Sequence, residues 1–223
     1  MIKKITIIGS GNVATQFSLA FKQVNIDIVQ IISRNKKSGK KLAKKINSIF
    51  SHSFKKILNT DLIIICVNDD EIKNVIRKLP NYPMVHTSGS TDINIFSTQE
   101  IYGVLYPLQS LNKEIQIDFQ NIPICIEANT KKLQANLHYI ANKISKNVIV
   151  LNSHKRKNLH LAAVIASNFS NFSYLIAKKH LTEHEIDFSL LKPLIILVDQ
   201  LQTNFTKHFT LMNVGTTQLD DYN

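Results

Sequence analysis

The sequence contains no tryptophan and only two cysteines, five prolines and six glycines among its 223 residues. Cys66 and Cys125 each lie in an apolar run and have no metal-binding or redox spacing, which favours a reducing cytoplasm. Apolar runs such as Leu62–Val67 are far below the roughly 20 residues that a membrane span needs. The N-terminus lacks the long apolar region and the cleavage site of a signal peptide. We therefore expect a cytoplasmic protein with no membrane partner.

Positive charge is in excess, with 27 Lys+Arg against 16 Asp+Glu and a formal net charge of +11. Such an excess is typical of polyanion-binding proteins. The lysines, however, are spread along the whole chain, and aromatic residues make up only 8% of it. A codon bias towards A and T would also enrich Lys, Ile and Asn together. We therefore expect no nucleic-acid partner, since that alternative depends on charge alone.

Short β-branched runs alternate with helical periodicities up to about residue 152. The predicted strands are 2–8, 26–32, 49–53, 61–67, 84–87, 102–106, 123–128 and 148–151. The predicted helices between them are 12–24, 36–46, 69–79 and 131–143. This alternation predicts an α/β, Rossmann-type, mostly parallel sheet. The Rossmann-like domain is predicted to span residues 1–151.

The pattern after this region is entirely helical. Residues 153–181 contain neither proline nor glycine, and a second helix is predicted from Phe188, through Pro193, to about Phe209. The sequence therefore predicts a small all-α C-terminal domain over residues 152–223.

A glycine-rich turn separates the first predicted strand from the first helix. Gly9-Ser10-Gly11-Asn12-Val13-Ala14 has the G-x-G-x-x-G/A pattern of dinucleotide-binding folds. The first glycine permits the tight turn, the second lets the backbone approach a pyrophosphate, and the helix N-terminus offers free N–H groups. The predicted cofactor contacts here are Gly9, Ser10, Gly11, Asn12 and Val13. The alternative is an α/β turn that binds no nucleotide.

The end of the second strand distinguishes NAD from NADP. NAD sites carry Asp or Glu there, whereas this chain has Ser33-Arg34-Asn35-Lys36-Lys37. A guanidinium, a hydroxyl and a nearby ammonium group suit a 2′-phosphate. We therefore predict NADP(H), bound by Ser33, Arg34 and Lys37, although Arg34 is also compatible with an ordinary surface position.

Two further strand ends should lie at the same edge of the sheet, where ligands of Rossmann folds bind. Val67 and Asn68 lie at the end of the fourth predicted strand, and Thr87 and Ser88 lie at the end of the fifth. We predict that all four contact the cofactor. The second segment is equally compatible with a simple Ser/Gly turn.

Five segments together resemble one protein family. They are Ile7-Ile8-Gly9-Ser10-Gly11-Asn12-Val13-Ala14, Ser33-Arg34, His86-Thr87-Ser88-Gly89-Ser90, Tyr106-Pro107-Leu108-Gln109 and Leu159-His160-Leu161-Ala162-Ala163-Val164. In this order they resemble bacterial proteins that join a Rossmann-like NADP-oxidoreductase domain to the helical domain of unknown function 2520. The wider superfamily includes pyrroline-5-carboxylate reductase and 6-phosphogluconate dehydrogenase. The resemblance implies an NADP-dependent oxidoreductase that forms a homodimer through its helical domain.

The C-terminal segment departs from that family. Its members carry a Thr-Gly-Pro-Ala segment followed by Arg and Asp, where this chain has Val214-Gly215-Thr216-Thr217-Gln218-Leu219-Asp220-Asp221. Leu219 stands in place of the arginine, and the helical domain is expected to be shortened. A catalytically inactive NADP-binding regulatory or sensor protein is therefore the alternative to an enzyme.

The long C-terminal helix carries a polar stripe. At 100° per residue, His160, Ser167 and Asn171 fall close to one line, with Arg156 and Asn168 nearby. Because an imidazole can both donate and accept a proton, His160 is predicted to be the proton relay. Asn168 and Asn171 are predicted to hold the substrate. The alternative for His160 is a structural histidine at a domain interface.

Three further residues complete the predicted site. Tyr106, Gln109 and Ser167 are predicted to contact the substrate, although Tyr106 is equally compatible with a packing role. The predicted substrate is a small polar metabolite of the imino acid or keto acid class, by analogy with the superfamily. His180-Leu181-Thr182-Glu183-His184 matches the H-x-x-E-H zinc pattern but has no evident third ligand, so we expect no metal.

Overall fold

The computed structural model describes residues 1–115, 117–198 and 200 of the chain. Within them, eight strands form a single sheet. The strands are β1 (Lys4–Ile8), β2 (Asp27–Ile32), β3 (Ile49–Ser51), β4 (Leu62–Ile65), β5 (Met84–His86), β6 (Tyr102–Pro107), β7 (Ile124–Ala128) and β8 (Val148–Val150). Their order across the sheet is β3-β2-β1-β4-β5-β6-β7-β8. Strands β1 to β6 are parallel, whereas β7 runs antiparallel to β6 and parallel to β8. The predicted Rossmann-type, mostly parallel sheet is confirmed.

Helices connect the strands at the predicted places. They are α1 (Asn12–Gln23), α2 (Lys36–Ile46), α3 (Asp69–Ile76), α4 (Lys131–Ile144), α5 (Ser153–Val164) and α6 (Ser170–Glu183). Local side chains define several ends: Asn35 accepts a hydrogen bond from the Ser38 N–H before α2, and Thr130 accepts one from Leu133 before α4. Asn47 adopts a left-handed conformation that ends α2.

The central strands bury both of their faces, which explains their unbroken apolar sequences. On one face, Ile5 and Leu62 pack in the cluster that contains Phe17 and Phe21 of α1. On the other, the odd residues of β4 pack in the cluster with Ile72 of α3. Helices on both faces thus hold the strand ends, and the turns that follow them, in fixed positions.

The contacts divide the chain into two compact units, Met1–Val164 and a second that begins at Ile165. Helix α5 therefore belongs with the sheet, because Ser153 and Arg156 on its first turn are buried. This division lies one helix beyond residue 151, where the sequence places the domain boundary. The assignment of separate roles to residues 1–151 and 152–223 stays a prediction.

The second unit contains a π-helical stretch (Ile165–Phe169), α6 and a short 3₁₀ turn (Phe188–Leu191) that begins the predicted second helix, described to Val198. The predicted continuation of this helix to Phe209, and the segment around Leu219, lie outside the described residues. Many of its large apolar side chains are exposed: Ile165, Phe169, Phe172, Leu175, Ile176, Leu190 and Leu194. By length and composition alone, helix Ser153–Glu183 could cross a membrane, a property that core helices of soluble proteins share.

Candidate cofactor groove and active site

A groove of about 230 Å³ opens at the carboxyl ends of β1, β2 and β4. Three turns line it, at residues 9–11, 32–35 and 66–68, together with Glu71 and Val75 of α3. The predicted contacts Gly9, Ser10, Gly11, Ser33, Arg34, Val67 and Asn68 all line this groove. The fold therefore places the glycine turn and the two neighbouring strand ends in one cleft, as parallel topology requires.

Glycine occupies the two positions of the turn for different structural reasons. Gly9 has φ +122°, and a Cβ atom there would lie 2.1 Å from the Cys66 carbonyl oxygen, so only glycine is tolerated. A Cβ at Gly11 would meet no atom within 4 Å. The second glycine thus borders open space at the mouth of the groove, where a ligand backbone can approach closely.

The N-terminus of α1 faces this open space. Gly11 is its N-cap residue and provides no side-chain hydrogen bond, so the first helical N–H groups are available to an anion. The side chains of the next two predicted contacts are engaged elsewhere. Asn12 accepts a hydrogen bond from the Lys113 N–H, and Val13 packs against the core. Both residues can still offer their backbone N–H groups to a bound pyrophosphate.

Three serine hydroxyl groups meet at the end of β2. Ser10 Oγ lies 2.7 Å from Ser33 Oγ and 2.7 Å from Ser38 Oγ. Ser38 was missed by sequence reasoning, although its position in the first turn of α2, close behind Ser33, is a usable signal. Ser10 and Ser33 line the groove and form its serine corner, and Ser38 contacts Ser10 from the first turn of α2.

Arg34 is paired across the groove. Its Nη1 lies 3.0 Å from Oε2 of Glu71, and its side chain remains 75% exposed. The guanidinium can therefore exchange the carboxylate for another anion at little cost, because exposed ion pairs contribute little. Lys37, the third predicted contact of the 2′-phosphate, is exposed on the first turn of α2.

The turn after β5 is fixed by several hydrogen bonds. Ser88 N–H donates to Nδ1 of His86 (3.1 Å), and Ser88 and Ser90 both donate their hydroxyl groups to Asp69, at 2.8 and 2.5 Å. Burial lowers the pKa of His86 to about 3, so the imidazole stays neutral and its Nδ1 can accept. The hydroxyl of Thr87 donates to the Ile65 carbonyl oxygen (3.4 Å). Asp69, which is not among the predicted cofactor contacts, thus connects the start of α3 to the turn after β5.

Tyr106 and His160 form a hydrogen-bonded pair above this turn. Tyr106 Oη lies 2.9 Å from Nδ1 of His160, and the two rings are nearly perpendicular, at 83°. Burial is the main reason that the pKa of Tyr106 is raised to about 12, which keeps the phenol protonated. Tyr106 is therefore a hydrogen-bonding partner of His160 and not only a packing residue.

Gly89 allows the turn and this pair to approach each other. A Cβ atom at Gly89 would lie 2.6 Å from Nδ1 of His160 and 2.8 Å from Cζ of Tyr106. Because Gly89 has no positive φ, close approach and not backbone conformation accounts for the glycine. The structure thus brings His160 to the turn that carries the predicted cofactor contacts Thr87 and Ser88.

The remaining predicted substrate contacts lie elsewhere. Gln109 is exposed beyond β6, and its Oε1 accepts a hydrogen bond from the Ser110 N–H. Ser167 and Asn168 lie in the π-helical stretch, and Asn171 is the second residue of α6. All three belong to the second unit. The uniform 100° spacing of the predicted stripe does not hold through the π stretch, because its hydrogen bonds run from i to i+5.

The H-x-x-E-H segment lies at the end of α6. The rings of His180 and His184 are 4.7 Å apart between centroids, with Glu183 as the last residue of the helix. Across the described part of the chain, no group of three or more potential ligands is arranged to hold a metal ion.

Two family models match the chain. Residues 4–86 match the model described as NADP oxidoreductase, coenzyme F420-dependent, and residues 122–207 match the domain of unknown function DUF2520. No curated protein matches the chain.

Several solved structures are similar. A proposed NADP oxidoreductase from Bacteroides fragilis is 32% identical, with 89% of this chain and 80% of that chain covered and a TM-score of 0.82. A protein from Thermotoga maritima is 25% identical, with coverages of 91% and 79% and a TM-score of 0.73. The 1-pyrroline-5-carboxylate reductase of Streptococcus pyogenes, 16% identical with coverages of 98% and 82% and a TM-score of 0.67, shares the fold.

Proposed function

The chain belongs to the family of Rossmann-type NADP oxidoreductases that carry a DUF2520 domain, and on that premise we propose that it reduces a small imine or ketone with NADPH. The observation that carries this proposal is the hydrogen bond between Tyr106 and His160 beside the turn after β5. This hydrogen bond supports the proposal because it holds an imidazole, a group that can transfer a proton, beside the turn that follows β5.

The groove fits the cofactor of this family. Free N–H groups at the start of α1 and the open space at Gly11 suit the pyrophosphate, and Arg34 with the serine corner suits the 2′-phosphate. Ser88 Oγ accepts hydrogen bonds from Ser90 N and Thr91 N while it donates to Asp69, so the turn is held rigid against the nicotinamide end. When bound, NADPH supplies the hydride.

The protein then supplies the proton. Reduction of a C=N or C=O bond adds hydride to carbon and a proton to nitrogen or oxygen, and His160 is the group that delivers this proton. The Tyr106 hydroxyl orients the imidazole through Nδ1, which leaves Nε2 for the substrate. The substrate contacts assigned to Ser167, Asn168, Asn171 and Gln109 stay predictions from the sequence.

The test is NADPH oxidation by the purified protein with a panel of cyclic imines and 2-keto acids, followed at 340 nm. Turnover of any member at a rate above the buffer control supports the proposal. If no compound of the panel is reduced although the protein binds NADPH, the result contradicts the proposed reductase activity and supports a second candidate function. That candidate is an NADP-binding regulatory or sensor protein, favoured by Leu219 in place of the family's arginine.

Arg34 is expected to determine the preference for NADPH over NADH. Arg34→Ala should weaken NADPH binding about 10- to 100-fold, because a charge-assisted hydrogen bond contributes about 1.5–3 kcal/mol, and should leave NADH binding unchanged. Fluorescence titration of both nucleotides measures this preference. Glu71→Gln, which frees Arg34 from its ion pair, should bind NADPH at least as tightly as wild type.

Lys44→Ala is the matched control, since Lys44 is an exposed cation in the last turn of α2. Equal affinities of wild-type protein for NADPH and NADH would contradict the assignment of Arg34. An equal loss in Lys44→Ala would show that general positive charge, and not Arg34, attracts the nucleotide.

A homodimer is proposed to cover the exposed apolar side chains of the second unit, such as Phe169, Phe172 and Leu175. Large exposed apolar surfaces often mark sites of protein–protein contact. Light scattering on detergent-free protein should give twice the chain mass of 25.3 kDa. Phe172→Glu should shift the mass towards the monomer, with the exposed Lys179→Glu as control. A protein that partitions into membranes, or a monomer at all concentrations, would contradict the dimer.

A further inference from the structure

Helix α5 is attached to the sheet through polar side chains. Its buried residues are Ser153 and Arg156, and the Arg156 side chain is fully buried. Leu159 adds a partly buried apolar contact. Burial of a guanidinium is costly unless charge and hydrogen bonds compensate it, so this arrangement requires specific partners.

Those partners come from two other elements. The carboxylate of Glu127, on β7, pairs with Nη1 of Arg156 and also accepts hydrogen bonds from the backbone N–H (2.9 Å) and the hydroxyl (2.8 Å) of Ser153. Nη2 of Arg156 donates to the Thr91 carbonyl oxygen (2.5 Å) and to Ser153 Oγ (3.1 Å). Ser153 Oγ in turn accepts from the Ile93 N–H (2.9 Å). The first turn of α5 is thus tied to β7 and to the segment that follows the Ser88–Ser90 turn.

The Arg156–Glu127 ion pair and the Tyr106–His160 hydrogen bond are neighbouring contacts between α5 and the sheet. Tyr106 is opposite Cys125 in the sheet, and Glu127 lies two residues further along β7 on the same face, about 7–8 Å from Tyr106 on the diagonal. On α5, His160 follows Arg156 by four residues, which is about 6 Å along the same helix face. The helix therefore contacts the sheet at two neighbouring points, one helical turn apart on α5 and one diagonal apart on the sheet.

We propose that Arg156 and Glu127 are positioning residues that set the register of His160 against Tyr106. A shift of one residue along α5 would move His160 by about 1.5 Å and rotate it by about 100°, which breaks its hydrogen bond to Tyr106. Apolar contacts are non-directional, whereas the forked guanidinium has a defined orientation. The inference rests on the proposed role of His160, but its first test requires no turnover.

The first test uses NMR spectra of full-length protein labelled with ¹⁵N-histidine. The His160 ring signal is identified by its loss in His160→Gln, and Tyr106→Phe gives the Nδ1 shift of a broken hydrogen bond. Arg156→Lys keeps the charge but lacks the fork, so it should move the His160 signal to the Tyr106→Phe position. A wild-type His160 signal in folded Arg156→Lys protein would overturn the proposal.

A double variant guards against simple misfolding. Glu127→Gln combined with Arg156→Met replaces the ion pair by neutral groups of similar size. Such a replacement often leaves the folding free energy nearly unchanged. The double variant should show the same His160 shift at a melting temperature close to wild type. A fall in melting temperature with an unchanged His160 signal would assign the pair a structural role only.

The control is Lys157→Met on the same helix. It removes an exposed cation whose Nζ lies 4.0 Å from Oδ2 of Asp92, and it should leave the His160 signal unchanged. For any substrate that the wild-type protein reduces, Arg156→Lys should lower kcat about a hundredfold. Its KM for NADPH should stay within about twofold of the wild-type value. Absence of turnover in wild type would refute the proposed function alone, because the NMR result still decides the positioning role.

Discussion

His160→Ala is expected to lower kcat for imine or ketone reduction by about 10²- to 10⁴-fold, the usual contribution of a positioned general acid. NADPH affinity should stay within about twofold of wild type, because the dinucleotide groove is lined by other residues. Tyr106→Phe should lower kcat less severely, since it removes the hydroxyl that orients Nδ1 but leaves the imidazole in place. Steady-state rates and fluorescence titration of the three proteins measure both quantities.

The control for this comparison is His154→Ala, an exposed histidine on the same helix. It should retain wild-type rates. If His160→Ala retained full turnover, His160 would be a structural histidine that packs between Tyr106 and Gly89. Restoration of part of the His160→Ala rate by added imidazole would support proton transfer directly.

Alanine substitutions at the two turn glycines are expected to have opposite consequences. Gly9→Ala places a methyl group 2.1 Å from the Cys66 carbonyl oxygen at a φ of +122°, so it should cost at least about 2 kcal/mol of folding free energy. For a chain of this size, the melting temperature should fall by about 5 °C or more. Thermal unfolding followed by circular dichroism measures this loss.

Gly11→Ala is the matched variant with the same chemical change. Its methyl group meets no protein atom within 4 Å, so the melting temperature should stay unchanged. NADPH affinity should fall at least about tenfold, because the methyl group occupies the space through which the pyrophosphate approaches the backbone. Wild-type NADPH affinity in Gly11→Ala would contradict the placement of the pyrophosphate at this turn.

Sequence patterns were informative where neighbouring residues carry the signal. The β-branched run before Gly9 and the basic amphipathic pattern of Lys36–Ile46 predicted β1 and α2, because period and propensity are local properties. The glycine turn was recognisable for the same reason, since its two glycines and small Ala14 are adjacent in the chain.

Patterns were less informative on the long C-terminal helix. The polar stripe assumed uniform α-helical spacing, but the Ile165–Phe169 stretch is π-helical. A π-helical stretch is rare and has the i-to-i+5 hydrogen bonds that a uniform α-helical spacing does not anticipate, so periodicity alone does not reveal it. The same holds for Arg156, whose place on the stripe gave no indication that it is fully buried.

The succession of strands and helices, the glycine turn and the lack of an acidic residue at the end of β2 could all be inferred from the chain alone, because each depends on neighbouring residues. The contact between Tyr106 and His160, 54 positions away, and the pairing of Arg156 with Glu127 became visible in the folded chain. The fold also shows that Gly89 is needed for close approach to Tyr106 and His160. These contacts join separate elements, and their distances depend on strand order and on how α5 packs against the sheet.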